Sequence, residues 1–365
     1  MDQSGKIAIV LTGHLLTDQR ILKTSALLHE NNYNICVYYR RYYKFLKPAD
    51  ESVNTPYPTV GLDFSVNSGV LFYLLFNLRI FFKLLFKSHA AYVAVDSDTL
   101  PALTLLSYIR NTPLIFDSHE YFAEVPELEG RYFKKDIWHW VTQAGINRSH
   151  ARYTVSETLA AEMQRRYGQP FEVVRNVPAY HPQSLQEKLD PPVILYQGAL
   201  NEGRKLELLI DAMRVLPEFN CIIIGEGDLS AALRARAHGL KNVTFKGLLS
   251  PDNIRHYTYK CFAGYNLLDA GSKSYYYSLS NKYFDYMQAG IPSISSKLPE
   301  YETLNERHGC GICIDNTVQE LVNTLKQWRN DENTYRNMSQ NALLASLKNN
   351  WETEGGTLLK IYKNL

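Results

Sequence analysis

The sequence predicts an α/β protein made of two doubly wound domains, each built on a parallel sheet. Three observations carry this. Short apolar runs of strand length alternate with helical patterns through the first half, which is how consecutive βαβ units read. The stretch 177–192 then holds four prolines and no apolar periodicity, so it reads as a linker, and the same alternation restarts after it. At 365 residues the chain is long enough to bury two separate cores. Two such domains in sequence are expected to hold a ligand cleft between the carboxyl edges of their sheets.

The elements follow in order. IAIVLT (Ile7–Thr12) is the first strand; no basic region or small-residue cleavage site accompanies it, so it is not read as a signal peptide. A helix is expected near Asp18–Glu30, then the strand NICVYY (Asn34–Tyr39). AYVAV (Ala91–Val95) precedes a helix at Thr99–Ile109. PLIFD (Pro113–Asp117) ends in a loop carrying His119. ARYTV (Ala151–Val155), the helix Glu157–Tyr167 and FEVV (Phe171–Val174) close the first series. The second series comprises VILYQG (Val193–Gly198), CIIIGEG (Cys221–Gly227), NVTFKG (Asn242–Gly247) and CFAGYNLL (Cys261–Leu268).

Composition narrows the class of function. Hydrophobic content of 45 % and charged content of 21 % are ordinary for a globular protein, and a net charge of +2 gives no case for nucleic-acid binding. Tyrosine is abundant, at 26, and clusters at Tyr38–Tyr43 and Tyr275–Tyr277, which suits sugar contacts and membrane interfaces alike. The five cysteines, an odd count mostly in apolar strand-like settings, point to reduced thiols and a cytoplasmic location. Cys310 and Cys313 have the CxxC spacing, but no second CxxC or histidine pair accompanies them, and they read as a loop entering a buried strand.

The most informative stretch is NKYFDYMQAGIP, from Asn281 to Pro292. Ser280 or Asn281 can cap a short helix, Gly290 ends it and Pro292 forbids continuation. A helix N-terminus offers unpaired N–H groups and partial positive charge, which suit a phosphate. Lys282 adds a full charge there. Asp285, about one turn further in, could accept hydrogen bonds from a vicinal diol. Diphosphate plus ribose diol describes a nucleotide sugar; the competing reading is a helix that only packs under a sheet. Upstream, Gly198 and Gly203 in YQGALNEGRK permit tight turns near an anion, and Arg204 or Lys205 can reach a diphosphate. A fixed cation there lowers the barrier as charge builds on the leaving group.

These motifs resemble the retaining glycosyltransferases of family 4, which have the GT-B fold of two Rossmann-like domains facing a central cleft. The likeness runs over nearly the whole chain and is strongest in the second half. It implies a first, acceptor-side domain over 1–178, a donor-binding domain over 192–350, and a last helix over 351–365 crossing back to the first. Asp285 falls at the second of the family's two glutamates; the first would fall at Tyr277, and Ala199 stands where many members carry an arginine. The resemblance implies donor contacts at Gly13, Gly198, Lys205, Gly225, Glu226, Leu248, Ser280, Asn281 and Asp285. It places the base near Gly225–Gly227 and Lys246–Ser250. It makes His119, Arg204 and Lys282 the residues of catalysis, with His119 a neutral imidazole beside the reacting sugar, and gives Glu120 and Glu124 to the acceptor. Asp18 is read as a helix cap that pairs with Arg20.

The expected activity is transfer of a sugar from a UDP- or GDP-type donor to a glycan, lipid-linked or other hydroxyl acceptor. Retention would proceed by front-side attack with no protein nucleophile. No cofactor and no metal are expected, since no carboxylate pair makes a convincing diphosphate–metal site. Alternatives are a GT-B sugar-nucleotide epimerase and a non-catalytic sugar-nucleotide binder or membrane scaffold. No GxGxxG with a later acidic partner follows a strand, which argues against a dehydrogenase. One further segment stands apart. In Gly69–Ala90, Arg79, Lys83 and Lys87 form a basic stripe on an apolar, aromatic helix. The expectation is a mostly buried helix of the first domain. The competing reading is a contact with an anionic membrane, peripheral at its inner face, to which the basic, aromatic Tyr38–Lys47 would add.

Overall fold

The computed structural model describes residues 5–42, 54–182 and 184–364. The chain divides into two compact units, Met1–Arg175 with Gly355–Leu365 and Asn176–Glu354. Each has its own parallel sheet.

In the first unit the strands are β1 (Ile7–Val10), β2 (Ile35–Arg40), β3 (Thr59–Leu62), β4 (Ala91–Val95), β5 (Leu114–Ser118), β6 (Ala151–Thr154) and β7 (Glu172–Val173). They lie in the order β3-β2-β1-β4-β5-β6-β7. The helices are α1 (Gln19–Glu30), α2 (Gly69–Leu85), α3 (Leu100–Arg110), α4 (Tyr132–Arg148) and α5 (Glu157–Tyr167). Central strands β1, β4 and β5 are buried at every position, as a parallel sheet covered by helices on both faces requires. The strand order reverses between β1 and β4, and ligands of such sheets collect beyond the strand ends at that point.

The second unit repeats the design. Its strands are β8 (Val193–Gln197), β9 (Asn220–Ile224), β10 (Val243–Gly247), β11 (Ala263–Asn266), β12 (Ser293–Ser296) and β13 (Gly311–Ile314), in the order β10-β9-β8-β11-β12-β13. The helices are α6 (Leu206–Arg214), α7 (Ser230–Arg236), α8 (Pro251–Lys260), α9 (Lys273–Tyr276), α10 (Asn281–Gln288), α11 (Pro299–His308), α12 (Val318–Asn330), α13 (Glu332–Ser346) and α14 (Trp351–Lys363). The reversal here lies between β8 and β11. The division between the units falls inside α14, after Glu354. Its later part packs in the first unit, where buried Tyr362 meets Tyr153, hydroxyl to hydroxyl, at 3.4 Å.

Several elements differ from the sequence reading. Strand β3 and helix α4 were not expected. β3 is only four residues at the sheet edge, and α4 has no apolar stripe, because Tyr132, Phe133 and Trp140 point outward. The loop before α10 contains the single turn α9. Helix α2 is not mostly buried: Val70, Leu71, Leu74, Leu78 and Phe82 are exposed, while Phe72, Phe76, Ile80 and Leu84 form its inner face. Hydrophobicity on both faces hid which one was outside. Within Tyr38–Lys47, the residues from 43 onward lie outside the described residues.

Candidate active site

In the second unit the carboxyl ends of β8, β9 and β10 each turn on a glycine. Gly198 and Gly225 share φ +134°, and a Cβ on Gly225 would fall 1.9 Å from the Gly198 carbonyl oxygen. Only glycine fits this close approach of backbones. Gly198 N–H donates to Ile224 O at 2.9 Å, and Gly225 N–H to Gly247 O at 2.8 Å. Gly203, at φ +80°, leaves room for the Tyr275 ring, over which the Arg204 guanidinium lies at 5.3 Å.

Helix α10 starts at this edge. Ser280 is its N-cap residue, but its hydroxyl donates to Asn266 Oδ1 at 2.7 Å, and no side chain caps the helix among the described residues. The first turn is left open to an external acceptor. Lys282 reaches back over the Tyr196 ring at 5.2 Å, and its Cε lies 3.5 Å from where a Gly198 Cβ would be. Burial and the neighbouring Arg204 charge pull the Lys282 ammonium down to about 7, against a smaller opposing pull from Asp285. Two cations, Lys282 at the Gly198 turn and Arg204 over Tyr275 at the Gly203 turn, repel each other beside the reversal of the sheet, an arrangement that an anion would relieve. Asp285 Oδ2 accepts from Gln197 Nε2 at 2.7 Å.

In the first unit, charged groups gather beyond β1, β4 and β5. Arg20 and Asp117 form a buried pair, with Arg20 Nη2 2.8 Å and Nε 3.0 Å from Asp117 Oδ1. Arg20 also donates to Val174 O. His119 Nε2 lies 3.1 Å from Asp117 Oδ2, and its Nδ1 lies 3.6 Å from Asp18 Oδ2. Its backbone N–H donates to Asp96 Oδ1 at 2.7 Å. Burial opposes charge on His119, but Asp117, Asp18 and Asp96 outweigh it and raise the imidazole to about 9. Asp117 is held at about 2, because Arg20 and His119 overcome its desolvation. At neutral pH His119 is therefore an imidazolium held between carboxylates.

Four expectations need correction. His119 is drawn toward its charged form, because Asp117 and Asp18 face its two ring nitrogens. Arg20 pairs with Asp117 and not with Asp18; Asp18 does cap α1, accepting from Ile21 N–H at 3.0 Å. Lys205 is held by Asp269 at 2.7 Å, which leaves Arg204 as the cation beside Lys282. Glu124 is taken by Lys135 at 2.9 Å and by His139 at 3.0 Å, so it serves local structure. Glu226 is gripped by Arg234, while Leu248 is 61 % exposed beside the Gly247 turn. Gly13 has an ordinary φ and open space where a Cβ would stand. Cys310 and Cys313 are separately engaged, with Tyr283 and Asn305.

Sequence reasoning missed Asp96 and Asp98. Asp96 adopts φ +57°, a conformation costly for a residue with a side chain, and holds the His119 loop. Asp98 is 4 % exposed, accepts from the Thr12 hydroxyl, and is raised to about 7, chiefly by burial. The signal was present: DSD directly follows an apolar strand, where polar residues of a parallel sheet meet ligands.

Comparison with known proteins agrees with this geometry. Residues 180–344 match the family described as glycosyl transferases group 1. Sucrose-phosphate synthase from Thermosynechococcus elongatus superposes with a TM-score of 0.78 at 14 % identity, over 99 % of this chain and 98 % of that one. HepE of Anabaena, solved with UDP and glucose, gives 0.74 at 16 % identity, over 99 % and 100 %. The lipopolysaccharide outer core galactosyltransferase WaaB gives 0.66 at 15 % identity, over 99 % and 100 %. No curated protein sequence matches the chain. The architecture is that of the GT-B glycosyltransferases. Residues 180–344 thus form a glycosyl transferase group 1 domain, set in a two-domain architecture shared with solved glycosyltransferases.

Proposed function

We propose that the protein transfers a sugar, with retention, from a nucleoside-diphosphate donor to a hydroxyl acceptor. The observation that carries this is the pairing of Lys282, at the Gly198 turn, with Arg204, which lies over Tyr275 at the neighbouring Gly203 turn, beside the open first turn of α10. Two cations and helix N–H groups would bind the donor diphosphate and stabilise the charge that develops on it as the glycosidic bond breaks. Positive charge supplied by protein side chains makes the transfer metal-independent on this reading. Asp285 would take the ribose diol, and the Gly225 and Leu248 turns the base. Leu248 offers an exposed apolar surface for a ring.

His119 would donate to a hydroxyl of the transferred sugar or to a phosphate oxygen, since as an imidazolium it has no lone pair with which to act as a base. The leaving phosphate then takes the acceptor proton in a front-side attack. The acceptor is a glycan, a lipid-linked sugar or another hydroxyl compound. The donor is of UDP or GDP type, and the HepE complex with UDP makes uridine the first base to test. We place the protein in the cytoplasm, peripheral at the inner face of the membrane. No described helix is long and apolar enough to cross a membrane.

The test is a thermal-shift panel of nucleotides and nucleotide sugars, followed by transfer assays with the donor that stabilises most. A nucleoside diphosphate should stabilise the wild type and lose its effect in the Arg204→Ala, Lys282→Met double variant. Equal stabilisation of both would refute the site. Conversion of the donor to an isomer without acceptor would replace transferase by epimerase.

A further inference from the structure

We infer that the first unit carries a groove for the apolar chain of an amphipathic, anionic acceptor, such as a sugar or alcohol joined through phosphate to a hydrocarbon tail. This rests on the transferase reading only for the word acceptor. A cavity of about 670 Å³ lies between α2, α4 and the turns after His119, and this volume is in the range of ligand pockets. Its wall includes an aromatic trio. Tyr73 and Trp138 meet edge to face with centroids 5.2 Å apart, and Phe122 and Trp138 at 4.9 Å. Leu74 of α2 and Ile137 of α4 complete it while remaining 54 % and 45 % exposed. These large apolar side chains would be costly to leave facing water.

The groove is not a packing defect. Asn77, which also lines it, is buried and fully engaged: its amide nitrogen donates to Asp98 O at 2.8 Å and to Tyr73 O at 2.9 Å, and its oxygen accepts from Ala102 N–H at 3.0 Å. This fixes the α2 wall. The groove also has polarity along its length. Glu120, adjacent in sequence to His119, lines it too, and so do the exposed Arg131 and Lys134 at the start of α4. Neither of these cations forms an ion pair among the described residues, while the adjacent Lys135 is occupied by Glu124 and Glu129. An apolar trough, unpaired cations and a carboxylate next to the candidate reacting histidine together match a molecule with a tail, an anionic link and hydroxyls. A free sugar would leave the trough unused.

The experiment uses decyl phosphate, kept below its micelle concentration, and ethyl phosphate as probes of the full-length protein, with binding read by calorimetry. Decyl phosphate should bind at least about tenfold tighter, since each buried methylene adds to affinity. Leu74→Glu and, separately, Ile137→Glu should remove that gain. Arg131→Glu with Lys134→Glu should weaken decyl phosphate but not decanol. Stabilisation by UDP, read in every variant, reports that the fold and donor site survive. No preference for the longer chain, or a preference unchanged in both Glu variants, overturns the proposal. So does binding to anionic vesicles with none to monomeric decyl phosphate, which assigns the face to a bilayer, or a dimer that the Glu variants disperse. Loss of the UDP response in the wild type with the chain-length gain intact would refute the donor reading and leave the groove standing.

Discussion

Binding of a nucleoside diphosphate should draw a proton onto Lys282. Burial and Arg204 hold its ammonium at about 7 in the free protein. At pH 8 the group is then only about one-tenth charged, and at pH 7 about half. A bound diphosphate reverses the local field and returns the amine to its ordinary range, so the bound state is fully protonated. The expected uptake is about 0.9 proton at pH 8 and about 0.5 at pH 7. Because protonation must accompany binding, affinity should fall as pH rises above 7, by up to about 1.4 kcal/mol per unit. Calorimetric titration of UDP at pH 8, in buffers of different ionisation enthalpy, reads the uptake directly. That pH lies above the phosphate's own transition near 6, which would otherwise contribute. Lys282→Met keeps the apolar stem and should abolish the uptake. Identical heats across buffers in the wild type, or the same uptake in the variant, would refute the reasoning.

Three other outcomes follow from the same geometry. Asp285→Ala should weaken UDP by about 1.5–3 kcal/mol, measured by calorimetry, while deoxyuridine diphosphates lacking the 2′-hydroxyl should show a smaller loss. His119→Gln should cut transfer with UDP affinity nearly intact. The imidazole is raised, so its stabilising charge is fully present below about 6.5 and lost as pH rises through about 9. Wild-type melting temperature should decline over that interval, and the variant's should not. Arg20→Met leaves Asp117 buried with only His119 as a partner, and should cost about 3–5 kcal/mol in denaturant unfolding of the full chain.

Much of this was legible in the sequence, for a physical reason. Strands of parallel sheets buried on both faces read as apolar runs, and α5 ends at Gly168, so β1, β4, β5, β8, β9 and α5 fall where the pattern puts them. The convergence of Gly198, Arg204, Lys282 and Asp285 was readable because each sits on a turn or helix start with its own local signal. What was not readable depended on which of several partners a side chain chooses. Arg20 could have met Asp18 two residues away, yet it meets Asp117, 97 positions on, a partner that only the fold brings to it. Glu124 looked available until α4 brought Lys135 and His139 to it. Helix α4 itself was hidden, since a helix that shows Tyr132, Phe133 and Trp140 to the outside has no clear stripe to detect.

The two perturbed cations are shifted in opposite directions, and the contrast separates their tasks. Lys282 is a cation set beside another cation. It is destabilised when the site is empty, and an anionic ligand removes that penalty, so part of its effect appears as ligand affinity. His119 is a cation set among carboxylates. Its charge is satisfied before any ligand arrives, and a ligand gains from it mainly through position and a preoriented N–H. Loss of Lys282 should therefore register in binding and in its pH dependence, whereas loss of His119 should register in turnover. If the double variant Lys282→Met, His119→Gln showed a UDP affinity well below that of Lys282→Met alone, His119 would be a ligand-charge partner like Lys282, and the division of tasks drawn from these opposed shifts would fail.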